Sequence, residues 1–155
     1  MNDLYFRDTC RLCDGKRLQL VFSLAPTPPG NHFVTADRVH EEQRCYPLDL
    51  YFCRDCTHVQ LGHVVNPEIL YRRHYSYVSR TSPVFVRHLK KCAYDVTARY
   101  PVKRGGLVID IGSNDGTALR FFQEQGHRVL GIDPATEIVK EACESGIETL
   151  CEFFN

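Results

Sequence analysis

No stretch of this sequence approaches the roughly 18 consecutive apolar residues that a membrane-spanning helix needs, so no membrane partner is expected. The opening residues, MNDLYFRDTC, lack the basic start and long apolar core of a secretory signal. A surplus of charge is missing as well: 19 Lys and Arg face 19 Asp and Glu, a formal net charge of zero. Proteins that act on nucleic acid normally carry a basic excess, so no nucleic-acid partner is expected. Internal repeats and low-complexity tracts are also lacking. These absences point to a cytoplasmic protein whose 155 residues suffice for one medium domain or two small ones. In that compartment thiols stay reduced and disulfides are not expected.

Cysteine, by contrast, is plentiful, and its eight copies need another explanation. Cys10 and Cys13 form one C-x2-C pair, and Cys53 and Cys56 form a second. A C-x2-C turn places two sulfurs on one side of a tetrahedron, and two such turns complete the thiolate set that zinc prefers. The 39 residues between the pairs exceed the about 15 to 20 of small zinc modules, which implies an inserted loop. Four unrelated core thiols would be the plain alternative. A redox C-x-x-C fits poorly, because neither pair opens a helix after a strand. His58 and His63 are further candidate ligands, although four thiolates already close the site, and Cys45 is a spare thiol. A closed site has no position for water, so its role is expected to be structural, offsetting a thin core.

The surrounding residues read as strands. LYFRDTCRLC is a short strand entering a cysteine turn, and residues 24–40, rich in proline and polar side chains, read as a long loop. From Cys45 the chain alternates, with Tyr46, Leu48, Leu50 and Phe52 on one face, and Val59 and Leu61 resume the pattern beyond Cys56. Two strands joined through a C-x2-C turn make a metal-clasped hairpin. The expected organisation is a zinc-binding domain over 1–65, a tyrosine-rich connector over 66–83, and a further domain over 84–155. Ser82 followed by Pro83 is a helix start, and that helix is expected to bury Phe85, Leu89, Cys92, Ala93 and Val96. After PVKRGG, strands LVIDI, RVLGID and IETLC alternate with helices over about 116–125 and 134–144, the order of a parallel α/β sheet.

The turn after LVIDI carries the chemistry. Gly112 and Gly116 bracket it, and Asn114 between them is a residue able to take a left-handed conformation. Asp133 ends the next strand about twenty residues on, where a carboxylate grips ribose hydroxyls in dinucleotide folds. A dinucleotide lays its pyrophosphate on bare helix N-terminal amides. Here Asp110 enters the turn and Asp115 sits in it, and carboxylates there repel a pyrophosphate. S-adenosylmethionine has no phosphate and carries a cationic sulfonium and ammonium, so it suits the acids better. Asp110 and Asp115 acting only as helix caps is the plainer reading, and a nicotinamide dinucleotide is the remaining rival.

Taken together, CRLC, YPLDLYFCRDCTHVQL, YSYVSRTS, VIDIGSNDGT and GIDPA follow one another as in the sugar C-methyltransferases, a family this chain resembles over nearly its whole length. The resemblance implies a small four-cysteine zinc-binding domain and then a Rossmann-like domain for S-adenosylmethionine, of which 84–155 would be the first half. It implies Cys10, Cys13, Cys53 and Cys56 as zinc ligands. Asp110, Gly112, Ser113, Asn114, Asp115 and Gly116 would form the methionine-side loop of the cofactor, and Asp133 the ribose acid. Tyr75 and Tyr77 would lie over the cofactor and nucleotide-sugar pocket, or serve as an aromatic strut between domains. The implied substrate is a nucleotide-linked 4-keto deoxysugar, methylated on carbon through an enolate.

The family's chains are much longer. Its catalytic His, Tyr and Glu, its remaining strands and its C-terminal domain are expected beyond residue 155, and the fragment alone is expected to be inactive. His74 and His88 are local candidates for a base, but neither has a visible carboxylate partner. LVIDI would become an edge strand with uncovered apolar faces, a place for association. Two rival readings remain open: a non-catalytic zinc module that binds a protein, and a methyltransferase of this architecture with a non-sugar acceptor.

Overall fold

Cysteine turns and short alternating strands organise the first part of the chain, and a parallel sheet organises the second. A computed structural model describes residues 3–72, 75–100 and 103–154, which fall into two units, 1–74 and 75–155. The connector expected over 66–83 is therefore divided, its first residues lying with the first unit and those from 75 onward with the second. Among the described residues no helix is long and apolar enough to cross a membrane.

The first unit contains β1 (Leu4–Phe6), β2 (Leu18–Thr27), β3 (Tyr46–Cys53), β4 (Val59–Leu61) and β5 (His63–Val65). β1 pairs antiparallel with β5, and β2, β3 and β4 form an antiparallel sheet in that order. The expected hairpin is present: β4 returns along β3 with Val59 opposite Phe52 and Leu61 opposite Leu50. The loop expected from residue 24 starts later, because β2 runs on to Thr27. Its signal was the two-residue period of Leu18, Leu20, Phe22 and Leu24, interrupted by register shifts against β3. Pro26 is tolerated because β2 lies at the sheet edge. The core is thin. Among the described residues of this unit, the buried apolar side chains are Cys10, Tyr46 and Cys53.

In the second unit Ser82 caps α1 (Pro83–Arg99), its hydroxyl accepting from the amide of Phe85 at 3.3 Å. β6 (Leu107–Ile111), α2 (Thr117–Glu124), β7 (Arg128–Ile132), α3 (Thr136–Glu144) and β8 (Thr149–Leu150) then alternate. The three strands are parallel in the order β6-β7-β8, the expected half of a doubly wound sheet. The core gathers Leu119 of α2, Val129 of β7 and Ile147, with Val108 and Phe122 against them. Val108 and Asp110 thus face the helices. The alternate residues Leu107, Ile109 and Ile111 are 45%, 51% and 56% exposed, so the other sheet face is open and β6 is an edge, as expected.

One expectation for α1 is corrected. Of Phe85, Leu89, Cys92, Ala93 and Val96, Ala93 alone is buried, while Phe85, Cys92 and Val96 are exposed. The packed stripe runs through Val86, Leu89, Ala93 and Thr97 instead. Thr97 donates to the Gln125 amide oxygen at 2.6 Å, and Gln125 donates to the Phe121 carbonyl at 2.9 Å, which fixes α1 to α2 along that side. The helix carries two overlapping apolar stripes, and periodicity alone does not choose between them.

Gly116 closes the turn before α2 with φ of +73°, and a Cβ there would sit 2.8 Å from Cγ2 of the fully buried Ile147. Gly116→Ala combines the left-handed cost of about 1–2 kcal/mol with overpacking of about 1–3 kcal/mol. The expected loss is about 2–5 kcal/mol, read as a lower urea midpoint. Gly112, at φ +78° with nothing within 4 Å of its Cβ direction, is the control, and Gly112→Ala is expected to lose only the about 1–2 kcal/mol of backbone strain.

Candidate functional site

The four paired cysteines converge. The sulfurs of Cys10, Cys13, Cys53 and Cys56 all lie within 4.8 Å of one another. Cys10 Sγ is 3.6 Å from Cys56 Sγ, and Cys13 Sγ is 3.7 Å from Cys53 Sγ. Zinc–sulfur bonds of about 2.3 Å in a tetrahedron place sulfurs about 3.8 Å apart, so these separations fit one ion with four thiolates.

Two like turns build the cluster. The amide of Asp14 donates to the Cys10 carbonyl and the Cys10 amide to the Gly15 carbonyl, both at 2.9 Å. In the second turn the amide of Thr57 donates to the Cys53 carbonyl at 2.9 Å and the Cys53 amide to the His58 carbonyl at 2.8 Å. Asp14 and Thr57, at the same place in each, have φ of +55° and +65°. For a β-branched threonine that conformation is strained, and the cluster holds it. Buried Gln60 braces the first turn from β4, accepting from the Arg11 amide at 2.8 Å and donating to the Thr9 carbonyl at 3.1 Å. A glutamine between Val59 and Leu61 looked like an ordinary polar position of an alternating strand, so nothing in the sequence singled it out.

The thiols perturb one another strongly. Burial opposes ionisation of Cys10, but the amides of Leu12 and Cys13 and the neighbouring thiols bring its pKa down to about 7. Cys13 is favoured as a thiolate by the Gly15 amide, yet the Cys56, Cys53 and Cys10 sulfurs and burial push it up to about 12. Within the cluster the anion is favoured at Cys10 and opposed at Cys13. Neither His58 nor His63 joins the cluster. His63 lies 3.7 Å from the Asp49 carboxylate with its ring edge on Phe6. Cys45 is exposed and donates to the Gln43 carbonyl.

In the second unit the glycine turn sits at the carboxyl ends of β6 and β7. Asn114 takes φ of +52°, the left-handed conformation expected of it. Its amide donates to Asp133 Oδ2 at 2.9 Å, and the Ala135 amide donates to Asp133 Oδ1 at 2.9 Å. Buried Asp133 therefore ties the turn to the exit of β7. Asp115 accepts from the Thr117 amide at 3.1 Å and hydroxyl at 2.7 Å, capping α2. Asp115 thus caps the helix with one oxygen, but not only that, since its other oxygen accepts from the Arg80 amide. The capping reading does not hold for Asp110, which pairs with Gly131 in the ladder and whose carboxylate makes no hydrogen bond among the described residues. Burial, and then the nearby charge of Asp133, raise the pKa of Asp110. The buried hydroxyl of Ser113 also lacks a partner.

These features bear on which ligand fits. Gly112 faces open space, the Ser113 hydroxyl is buried toward Gly131, and Asp115 already caps the amide a phosphate would seek. Carboxylates at this turn disfavour a phosphate at the start of α2. The side chains of Asn114 and Asp115 turn instead to residues 77–80: Asn114 bonds the Tyr77 carbonyl and Ser79 amide, and Asp115 bonds the Arg80 amide. Tyr75 is half-buried and Tyr77 exposed on that segment. His88 is exposed on α1 and stacked on Phe85, and His74 lies outside the described residues.

Known proteins resemble the chain across both units. Residues 10–71 match a protein family described as "Putative zinc binding domain". The chain is 32% identical over 143 residues to C-methyltransferase NovU of Streptomyces niveus, a match that covers 92% of this chain and 34% of that protein. The chain thus spans about a third of the length of that curated relative. The resemblance to C-methyltransferases read from the motifs is borne out. A solved structure titled "Complex between the Haloferax volcanii Trm112 methyltransferase activator and the putative methyltransferase" is 24% identical, covering 48% of this chain and 38% of that one, with a TM-score of 0.33.

Elemental analysis of the purified chain is expected to give one metal ion per molecule. Combined Cys10→Ser and Cys53→Ser substitution is expected to abolish it and to unfold 1–74, whereas Cys45→Ser retains full metal.

The raised Asp110 pKa has a defined sign. A carboxyl that holds its proton more tightly when folded loses native stability as pH rises from its unfolded value, about 3.9, through the raised folded one. Asp110→Asn is expected to remove that loss, leaving the variant more heat-stable at pH 7 and indistinguishable near pH 3, as followed by circular dichroism.

Proposed function

We propose that this chain supplies the zinc-binding domain and the first half of the cofactor-binding domain of an S-adenosylmethionine-dependent C-methyltransferase. The acceptor is a nucleotide-linked 4-keto deoxysugar. The observation that carries the reading is the acidic glycine turn: Gly112 faces empty space, Asp110 enters the turn from β6 with its carboxylate near the charge of Asp133, and Asp133 lies buried at the end of the adjacent strand. The sugar acceptor is supported by the order of the motifs, and carbon as the methylated atom also by the printed name of the relative.

When bound, the cofactor supplies an electrophilic methyl group. The protein's own residues hold and orient it. Asp110 offers a carboxylate to a cationic group, and Gly112 an approach to the backbone free of a side chain. Asp133 uses one lone pair of each oxygen on Asn114 and Ala135, leaving a second on each for ribose hydroxyls. Methyl transfer depends on in-line placement more than on acid–base strength, so a rigid cradle is the main contribution asked of this part. Tyr75 and Tyr77 are assigned to the acceptor side by the order of the motifs. In the whole enzyme further strands pair with the edge of β6, and their crossover helices cover the open face of Leu107, Ile109 and Ile111. The four thiolates hold zinc in a structural role, in the reducing cytoplasm.

Isothermal calorimetry of the 155-residue chain with S-adenosylmethionine tests the reading. Binding is expected, and Gly112→Ala is expected to weaken it at least about tenfold, because its methyl group enters the space assigned to the ligand. Unchanged affinity in that variant, or no binding by the unsubstituted chain, would remove the cofactor from this turn.

A further inference from the structure

We propose that Asn114 is a positioning residue that couples the acid at the end of β7 to the tyrosine-bearing segment 75–81, so that a ligand on the glycine turn and the order of that segment support each other. The inference rests on the reading of the turn as the S-adenosylmethionine site. It assigns Asn114 a role other than contact with that cofactor.

The geometry is specific to asparagine. Its side-chain oxygen accepts from the Ser79 amide at 2.9 Å while its side-chain nitrogen donates to the Tyr77 carbonyl at 2.9 Å. One planar amide thereby satisfies the two backbone groups that bracket Val78, as a neighbouring strand would. Aspartate offers no donor for Tyr77, and an apolar isostere would leave both groups unpaired. The same residue must also adopt φ of +52°, which asparagine tolerates. Its own backbone amide hangs on Asp133 at 2.9 Å. The bonds to Ser79 and Asp133 are buried and that to Tyr77 is partly so, which shields the first two from water.

Asp115 and Arg80 complete the clamp. The Arg80 amide donates to Asp115 Oδ2 at 3.2 Å, and its guanidinium lies 3.6 Å from that carboxylate and 2.5 Å from Glu141 on α3. Residues 77, 79 and 80 are thus fixed by two adjacent residues of the turn. Any ligand that steadies Asp133 or the backbone at Gly112 steadies the base on which Tyr75 and Tyr77 are carried. Such coupling is reciprocal: a loosened segment weakens the ligand by the factor by which the ligand tightens the segment.

The test is amide hydrogen exchange, resolved by NMR, on the full chain with and without S-adenosylmethionine. Asn114→Gly keeps the positive φ and the bond to Asp133 but removes both side-chain bonds. It is expected to speed exchange at Ser79 about tenfold and to raise the S-adenosylmethionine dissociation constant by a similar factor. Asn114→Asp keeps the acceptor for Ser79 and is expected to fall between, and it serves if the glycine variant does not fold. Faster Ser79 exchange with unchanged affinity would reduce the clamp to a structural brace and overturn the coupling. Unchanged exchange in both variants would overturn the clamp itself. Faster exchange in a chain that binds no S-adenosylmethionine would overturn the cofactor reading and the coupling with it, while leaving the clamp standing.

Discussion

The carboxylate of Asp133 holds the functional end of the second unit together. Its two oxygens take the amides of Asn114 and Ala135, so one buried charge joins the glycine turn after β6 to the chain leaving β7. A buried carboxylate is tolerable only when its charge is met, and here backbone dipoles meet it. Everything distinctive about the turn follows from that anchor. Asn114 is held in its left-handed conformation, its side chain is presented to residues 77–79, and Gly112 is left facing outward with nothing above it. The Asp110 carboxylate stands apart from these bonds, and burial together with the charge of Asp133 raises its pKa.

The two units solve the problem of small size differently. In the second, Leu119, Val129 and Ile147 form an ordinary apolar core between helix and sheet. The first has little of that kind, and two of its three buried apolar residues are themselves members of the thiol cluster. A metal held by the four thiolates would there take the place of hydrophobic burial as a source of order. That substitution also explains why strained conformations at Asp14 and Thr57 persist: the like geometry of the two turns is set by the cluster rather than by local preference.

Much of this was legible from spacing alone. Two C-x2-C pairs announced the cluster because four ligands of one type at that interval have few other uses, and the strand–glycine–helix order announced the parallel sheet. Features set by tertiary choice were not legible. β2 hid behind register shifts and a proline-bearing end, and so was read as a loop beyond residue 24. The buried stripe of α1 was misassigned because Phe85, Cys92 and Val96 make as regular a pattern as Val86, Ala93 and Thr97, and only the partner helix decides between them. Gln60 and the side chains of Asn114 and Asp115 bond backbone atoms far away in sequence, at 51, 35 and 35 residues' remove, a relation no local pattern contains.

The central claim is that the turn at the ends of β6 and β7 accepts a cationic, phosphate-free ligand. NMR titration of the isotope-labelled chain, with S-adenosylmethionine in one series and a nicotinamide dinucleotide in the other, addresses it most directly. The account predicts saturable shifts of the Asp110, Gly112, Ser113 and Asp133 amides with S-adenosylmethionine, none at the four cysteines, and no saturable response to the dinucleotide. Saturable shifts at Gly112 and the start of α2 with the dinucleotide, and none with S-adenosylmethionine, would contradict it.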